Sequence, residues 1–457
     1  MLCTSFEFIY VFLPVSLAGF FIASRINKNF VLLWLVIVSV IFYAFMSVKF
    51  LPVLILSLII NYFMSLKISR APQKNLRKFW LITGIIINFA VLIYFKLINI
   101  LPPGISFYTF TQTAYLIEIY RESIKSESFL NYSSCITFFP CITSGPIVDC
   151  RKFLPELKAV TPDYDKLAQG LTLFIIGLFK KIYFADSLAP IVNNLFAHAG
   201  EITFIEAWGA ALAYSMQLYF DFSGYSDMAL GLGLMFDLNL PVNFDSPYKS
   251  LSIIDFWRRW HISLGRWIRD YIYIPLGGSR EGDFKRNRNV IIAMLFTGLW
   301  HGFGLTFILW GFLHGIMLAI NHQWRKLNIK LPVFISWLIT FICVTFGWVI
   351  FRAKNLNEAV KMLSAMINIK NIVIYDKLAN FAWLNKLGFT FGKLIFGQET
   401  IIFLIISLII VLIFPNSQNL ITKKFKPGYI WLLSSFVLAV IAFFNFSGVS
   451  DFLYFQF

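Results

Sequence analysis

Charge is scarce in this chain: Asp, Glu, Lys and Arg make up 14% of its 457 residues, and histidine occurs five times. A soluble domain of this length needs a far more charged surface. Together with 58% apolar residues and 52 phenylalanines, the scarcity points to an all-α, polytopic membrane protein. Other absences narrow the chemistry. The sequence has no phosphate-binding P-loop, no GxGxxG opening a βαβ unit, no GxSxG nucleophile elbow and no HExxH pattern. With His301 and His314 thirteen residues apart and no other close ligand set, no metal site is expected. Cys3, Cys135, Cys141, Cys150 and Cys343 form neither a CxxC pair nor a disulfide-like framework, and read as small buried thiols. The first apolar run lacks a basic segment before it and is followed by Arg25 and Lys28, which suits an uncleaved first helix. No internal repeat or low-complexity linker divides the chain, so residues 1–457 read as a single membrane domain.

The net charge of +16 would suggest nucleic acid in a soluble protein, but here the basic residues sit in short loops between apolar runs, where they orient the chain. No nucleic-acid partner is expected. Runs near Phe6–Ser24, Val31–Phe45, Phe50–Leu66 and Phe79–Leu101 predict four helices, and Val333–Phe351, Thr400–Phe414 and Tyr429–Phe446 predict three more. An amphipathic region, residues 352–398, lies between the first and second of those three. Arg25 and Lys28 stand two helices from the cluster Lys67, Arg70, Lys74, Arg77 and Lys78, so both lie on one side, cytoplasmic by the positive-inside rule. With Lys423, Lys424 and Lys426 also inside, both termini are expected to face outward. Residues 104–121 carry Gln112, Glu118 and Arg121 and are too polar for a lipid-facing helix. Residues 138–157 hold three prolines in an apolar frame, which predicts a re-entrant segment. Residues 170–196 predict a helix interrupted at Lys180-Lys181. Asp221 and Asp227 lie among aromatics and glycines, where carboxylates need partners. The arginines of the following run are the expected ones.

That run, 256-FWRRWHISLGRWIRDYIYIPLGG-278, places Trp257, Trp260, His261, Leu264, Trp267, Ile268 and Tyr271 on one stripe if wound as a helix. Arg258, Arg259, Arg266 and Arg269 fall largely elsewhere, so the segment predicts interfacial or re-entrant helices rather than a span. A second run, 298-GLWHGFGLTFILWGFLHG-315, is almost wholly apolar, and His301 and His314 are its ionisable residues. His301, next to Trp300 and between Gly298 and Gly302, reads equally as a hydrogen-bonded core histidine and as a general base for a hydroxyl. For His261 an orienting or interfacial role is the stronger reading. His314 and His322 read as structural, and His198 is assigned nothing.

The succession YFDFSGYSDMALGLG, NFDSPYKS, DFWRRWHISLGRWIRDYIYIPLGG and GLWHGFGLTFILWGFLHG resembles the membrane-bound O-acyltransferase family, in particular its bacterial alginate O-acetyltransferase-like branch. GISFYTFTQTAYLIEIYR and FFPCITSGPIVDCRKFLPEL resemble it too, and the likeness spans roughly residues 100 to 320. The resemblance implies ten to twelve transmembrane helices with re-entrant elements around a central tunnel. It implies His301 as the active-site residue and His261 as its support, with Asp221, Asp227, Trp257, Arg258, Arg259, Trp260, Arg269 and Trp300 lining the substrate passage. It further implies an acyl donor on the cytoplasmic side of the bacterial inner membrane, acetyl-CoA as co-substrate with no bound cofactor. The acyl group would pass to a periplasmic or membrane-anchored acetyltransferase partner and then to a polysaccharide acceptor. Transfer of D-alanyl or another acyl group is the nearest alternative. A transporter or flippase, and a non-catalytic scaffold, are the rivals from other classes.

Overall fold

Long apolar runs joined by short basic loops can satisfy their backbone in lipid only by winding into helices. The computed structural model describes residues 2–376, 390–446 and 452–453, and it is helical almost throughout. A π-helical turn, Phe8–Phe12, leads into α1 (Leu13–Ser24), followed by α2 (Lys28–Ser47), α3 (Leu51–Arg70), α4 (Lys74–Leu97) and α5 (Ile105–Tyr120). Short helices α6 (Phe129–Thr137), α7 (Phe139–Ile142) and α8 (Cys150–Ala159) come next. Then follow α9 (Tyr164–Phe179), α10 (Asp186–Ala197) and the 32-residue α11 (Phe204–Met235). Two short helices, α12 (Ile253–Arg259) and α13 (Ile262–Ile268), precede α14 (Asp283–His301), α15 (Leu305–Trp324), α16 (Val333–Arg352) and α17 (Leu356–Ile367). Val373–Tyr375 pairs in parallel with Thr390–Gly392, and α18 (Gln398–Ile413), α19 (Ser417–Lys424) and α20 (Tyr429–Phe444) close the described chain. Part of the expected amphipathic region, residues 377–389, lies outside the described residues.

Among the described residues, five helical runs are long and apolar enough to cross a membrane: Lys28–Arg70, Lys74–Leu97, Tyr164–Ala197, Leu305–Leu327 and Val333–Arg352. Three shorter apolar helices accompany them at Phe8–Ser24, Gln398–Ile413 and Tyr429–Phe444. The first long run is two helices, because the backbone of Ser47 is extended, with φ −165° and ψ 101°. The chain is therefore a multi-pass membrane protein. Its hydrophobic surface is turned outward, with Phe45, Leu56, Ile86, Leu305 and Ile430 exposed, as lipid contact requires.

Helix α11 is the central post, buried along nearly its whole length after residue 209. It packs on α9 through glycines: a β-carbon on Gly231 would stand 2.6 Å from the Gly170 carbonyl oxygen, so a side chain there would push the helices apart. Here the structure corrects two expectations. The helix is not interrupted at Lys180-Lys181 but runs on through a π-helical turn, Lys180–Ala185. The partners of the α11 carboxylates are these lysines, not the arginines of the next run. Lys181 Nζ is 2.7 Å from Asp221 and 2.7 Å from Asp186, and Lys180 Nζ is 2.6 Å from Asp227. Facing positions on two packed helices beat proximity in sequence, because a buried charge needs its partner at the same depth.

In the expected re-entrant stretch Pro146 stands in irregular chain, whereas Pro140 lies in α7 and Pro155 inside α8. Four-residue α7 ends at Ile142, residues 143–149 are non-helical, and α8 resumes at Cys150. The expectation for residues 256–276 also holds in outline, since no straight helix runs through them. The single aromatic stripe does not form, however. The chain breaks at Trp260-His261, where His261 takes the left-handed conformation, φ 44° and ψ 54°.

Candidate functional site

The apolar run holding His301 is folded into a hairpin rather than one helix. Gly302-Phe303-Gly304 separates α14 from α15, and His301 is the last residue of α14. Glycines make the hairpin tight: a β-carbon on Gly298 would lie 2.3 Å from the Phe307 carbonyl oxygen. The imidazole of His301 is 4% exposed and is walled by aromatic rings. Trp300, Phe351, Trp310 and Phe307 have ring centroids 4.6, 4.9, 5.5 and 6.3 Å from it.

His261 reaches the same place from another direction. Its ring centroid is 6.1 Å from that of Trp300 and 4.7 Å from that of Phe222 on α11. One indole thus lies between two histidines forty positions apart in sequence. The left-handed turn at His261 is held by Asn243. The Asn243 carbonyl accepts from Ile262 N–H at 3.0 Å, and its Oδ1 accepts from Ser263 N–H at 3.1 Å and Ser263 Oγ at 2.9 Å. The same Oδ1 lies 3.1 Å from His261 Nδ1. An amide oxygen can only accept, so Nδ1 carries the proton and Nε2 is the basic nitrogen. Ser263 Oγ in turn accepts from Ile147 N–H at 3.0 Å, which ties this turn to the irregular stretch before α8.

Of the other residues marked in the sequence, Trp257 and Trp260 pack nearby. Trp257 Nε1 donates to His314 Nδ1 at 3.2 Å, and Trp260 lies 4.8 Å from Trp348, which stacks 6.0 Å from Trp310. His314 is therefore a core residue of this aromatic cluster. Arg258 is exposed, Arg259 pairs with Asp255 at 2.9 Å, and Arg269 pairs with Asp270 at 2.7 Å. None of these contacts brings an arginine to the histidines. Asp221 and Asp227 lie on α11 with the lysines of the α9–α10 run. There Asp221 also accepts from Leu453 N–H at 3.0 Å, and Asp227 accepts from Ser417 Oγ at 2.5 Å.

Two residues beside the histidines went unmarked. Asn243 stands in the quoted NFDSP motif, so its position was noted while its role was not. Lys96 is buried at the end of α4, and its Nζ donates to the Trp300 carbonyl oxygen. A lone lysine closing an apolar run reads as a loop charge, and the run itself carries no signal that would distinguish it. At the far end of α5, Glu118 is buried. Its Oε1 accepts from Tyr271 Oη at 2.9 Å and from Arg121 at 3.2 Å, with Arg151 3.6 Å away. No group of three or more potential metal ligands occurs among the described residues.

A multi-pass helical protein with two buried histidines converging on one tryptophan is a membrane protein with polar groups at its centre. The chain belongs to the MBOAT, membrane-bound O-acyltransferase, family, whose model matches residues 23–360. It is 39% identical to a peptidoglycan O-acetyltransferase of Helicobacter pylori, over 98% of this chain and 96% of that protein. It is 40% identical to a probable alginate O-acetylase of Pseudomonas aeruginosa, over 80% of this chain and 75% of that one. Similarity to a teichoic acid D-alanyltransferase of Bacillus subtilis is 32% over 55% of this chain and 68% of that one.

Proposed function

We propose that this protein is a membrane O-acetyltransferase that moves an acetyl group from a cytoplasmic thioester, acetyl-CoA, toward a polysaccharide outside the bacterial inner membrane. The observation that carries the reading is the meeting of His301 and His261 on Trp300, inside a chain of the O-acyltransferase family. A hydroxyl is a weak nucleophile at neutral pH and needs a positioned base. His301 takes that role, and His261, its tautomer set by Asn243, supports it. Trp300 spaces the two rings, Trp257 and Trp260 shape the wall, and the Asp221–Lys181 and Asp227–Lys180 pairs hold the frame of the passage. Arg258, Arg259 and Arg269 act at its donor-side rim. Residues 100–320 form the catalytic core of one membrane domain, with residues 1–99 and 330–457 as flanking helices.

Acetyl is favoured over D-alanyl because the acetyl-transferring relatives align over 98% and 80% of the chain, against 55% for the D-alanyl one. Among acceptors, peptidoglycan is favoured by the end-to-end match with its relative. A cavity of about 110 Å³, lined by Gly104, Ser106, Phe107, Thr143 and Ser144, supports an outer approach. Phe107 in its wall lies 5.9 Å from Trp300. Delivery to the polymer is completed by a periplasmic or membrane-anchored partner enzyme.

Inverted membrane vesicles, whose cytoplasmic face is outermost, test this directly. With labelled acetyl-CoA added outside, wild-type vesicles should transfer ester-linked label to envelope polysaccharide. His301→Ala, at matched abundance, should fall by about 10²–10⁴-fold, the usual contribution of general-base help. His261→Ala should fall less, and His314→Ala least. Near-normal transfer by His301→Ala would sink the mechanism, and equal total loss in His261→Ala would make the two histidines one catalytic unit.

A further inference from the structure

Lys96 is 8% exposed, in a chain that uses charge sparingly. Its Nζ donates to the carbonyl of Trp300, the residue before His301, and stands 6.0 Å from the centroid of the Trp300 indole. Lys181 has two carboxylates at 2.7 Å and Lys180 has one at 2.6 Å. Among the described residues Lys96 has no carboxylate in ion-pair range; a carbonyl dipole and an aromatic face are what it touches. Burying an ammonium carries a large desolvation penalty. Capping the C-terminal end of α14 returns only a small part of that penalty. Capping alone therefore does not account for a cation here. A site that develops negative charge during its reaction does.

We propose that Lys96 stabilises the oxyanion of the acyl transfer: its ammonium, steered by the Trp300 carbonyl to the side of His301, donates a hydrogen bond to the thioester carbonyl oxygen as that oxygen becomes negative. This rests on the O-acetyltransferase reading above. In the first step the acceptor oxygen bonds to the carbonyl carbon, its proton passes to His301, and the carbonyl π pair moves onto the carbonyl oxygen. Lys96 meets that charge. The tetrahedral species then collapses: the C=O bond re-forms, the C–S bond breaks, and the thiolate leaves as thiol with the proton from His301. Stabilisation of this kind acts most strongly where water is excluded and the donor is already in place.

The same inverted vesicles test it, with Lys96→Met, Lys96→Gln and Lys96→Arg at matched abundance and the acetyl-CoA concentration varied. Losing one oxyanion donor reduces turnover by about 10²–10³-fold. Lys96→Met and Lys96→Gln should therefore drop maximal transfer by about 100-fold or more while KM for acetyl-CoA stays within about threefold. Lys96→Arg, which keeps a cation, should recover about tenfold or more of the loss. Glutamine can still donate to the Trp300 carbonyl, so Lys96→Gln within about fivefold of wild type would overturn the proposal in favour of a helix cap. So would an effect confined to KM, an arginine variant as inactive as the methionine one, or poor insertion and lowered melting temperature in all three variants. Wild-type vesicles that transfer no label would instead defeat the O-acetyltransferase reading itself.

Discussion

Asn243 concentrates more hydrogen bonding on one oxygen than any residue beside the histidines, and it does so with no exposed surface. Replacing it with alanine leaves Ser263 N–H, Ser263 Oγ and His261 Nδ1 without that acceptor in a buried site. Each such loss costs about 1–3 kcal/mol. Asn243→Ala should lower acetyl transfer by about 10–100-fold, since about 1.4 kcal/mol corresponds to a factor of ten. Asn243→Asp, which keeps an acceptor at the same place, should retain more. Vesicle transfer at matched abundance checks both, and an Asn243→Ala protein with full activity would show that His261 needs no such anchor. This residue was legible in part. The NFDSP motif marked the position, but only the left-handed turn at His261 shows what an asparagine does there.

At the scale of elements, the frame depends on the α9–α10 run meeting α11. Lys181 and Asp221 are both buried, so removing Lys181 leaves the Asp221 charge without that cation in a low-dielectric interior, an effect of about 3–5 kcal/mol, whereas removing Asp221 leaves Lys181 still paired with Asp186. Lys181→Met should therefore lower the melting temperature in detergent clearly. Lys181→Met combined with Asp221→Leu should recover part of the loss, because it removes the more deeply buried acid and leaves only the more exposed Asp186 without this cation. A double variant no more stable than the single one would mean that Asp221 serves the passage beyond pairing, through Asp186 or Leu453. The sequence showed that these carboxylates needed cations and named the wrong ones. Arginines follow them in sequence, but α11 turns that stretch of chain away and presents its acids to a helix forty positions earlier.

Across the whole molecule, the start of the described chain and the C-terminal end of α20 lie at one side. The Phe6 ring lies 5.9 Å from that of Phe443 and 4.6 Å from that of Phe446. Basic residues gather at the opposite ends of these helices, at Arg25 and Lys28 after α1 and at Lys424 and Lys426 before α20. By the positive-inside rule the basic end is cytoplasmic, so Glu7 and Asn445, both exposed, should face the periplasm. Glu7→Cys and Asn445→Cys, each in a cysteine-free background, should react with an impermeant thiol reagent in intact spheroplasts. Gln73→Cys, on the loop before α4, should react only after lysis. The opposite pattern would invert the protein and place the donor on the wrong side of the membrane.

By itself the sequence determined the class of protein, the positions of most helices, the basic loops that orient them, and the candidate histidines. All of these are local: apolar runs, prolines, glycines and charge density are read within one or two turns of chain. Only the tertiary structure decided that His261 and His301 share Trp300, that Asn243 sets the His261 tautomer, and that lysines answer Asp221 and Asp227. It alone brought Lys96 to the carbonyl of a residue 204 positions away. The reason is physical. In a membrane interior a polar group is partnered by whatever lies at its own depth on a neighbouring helix, and that depth is set by how helices stack, which no local spacing records.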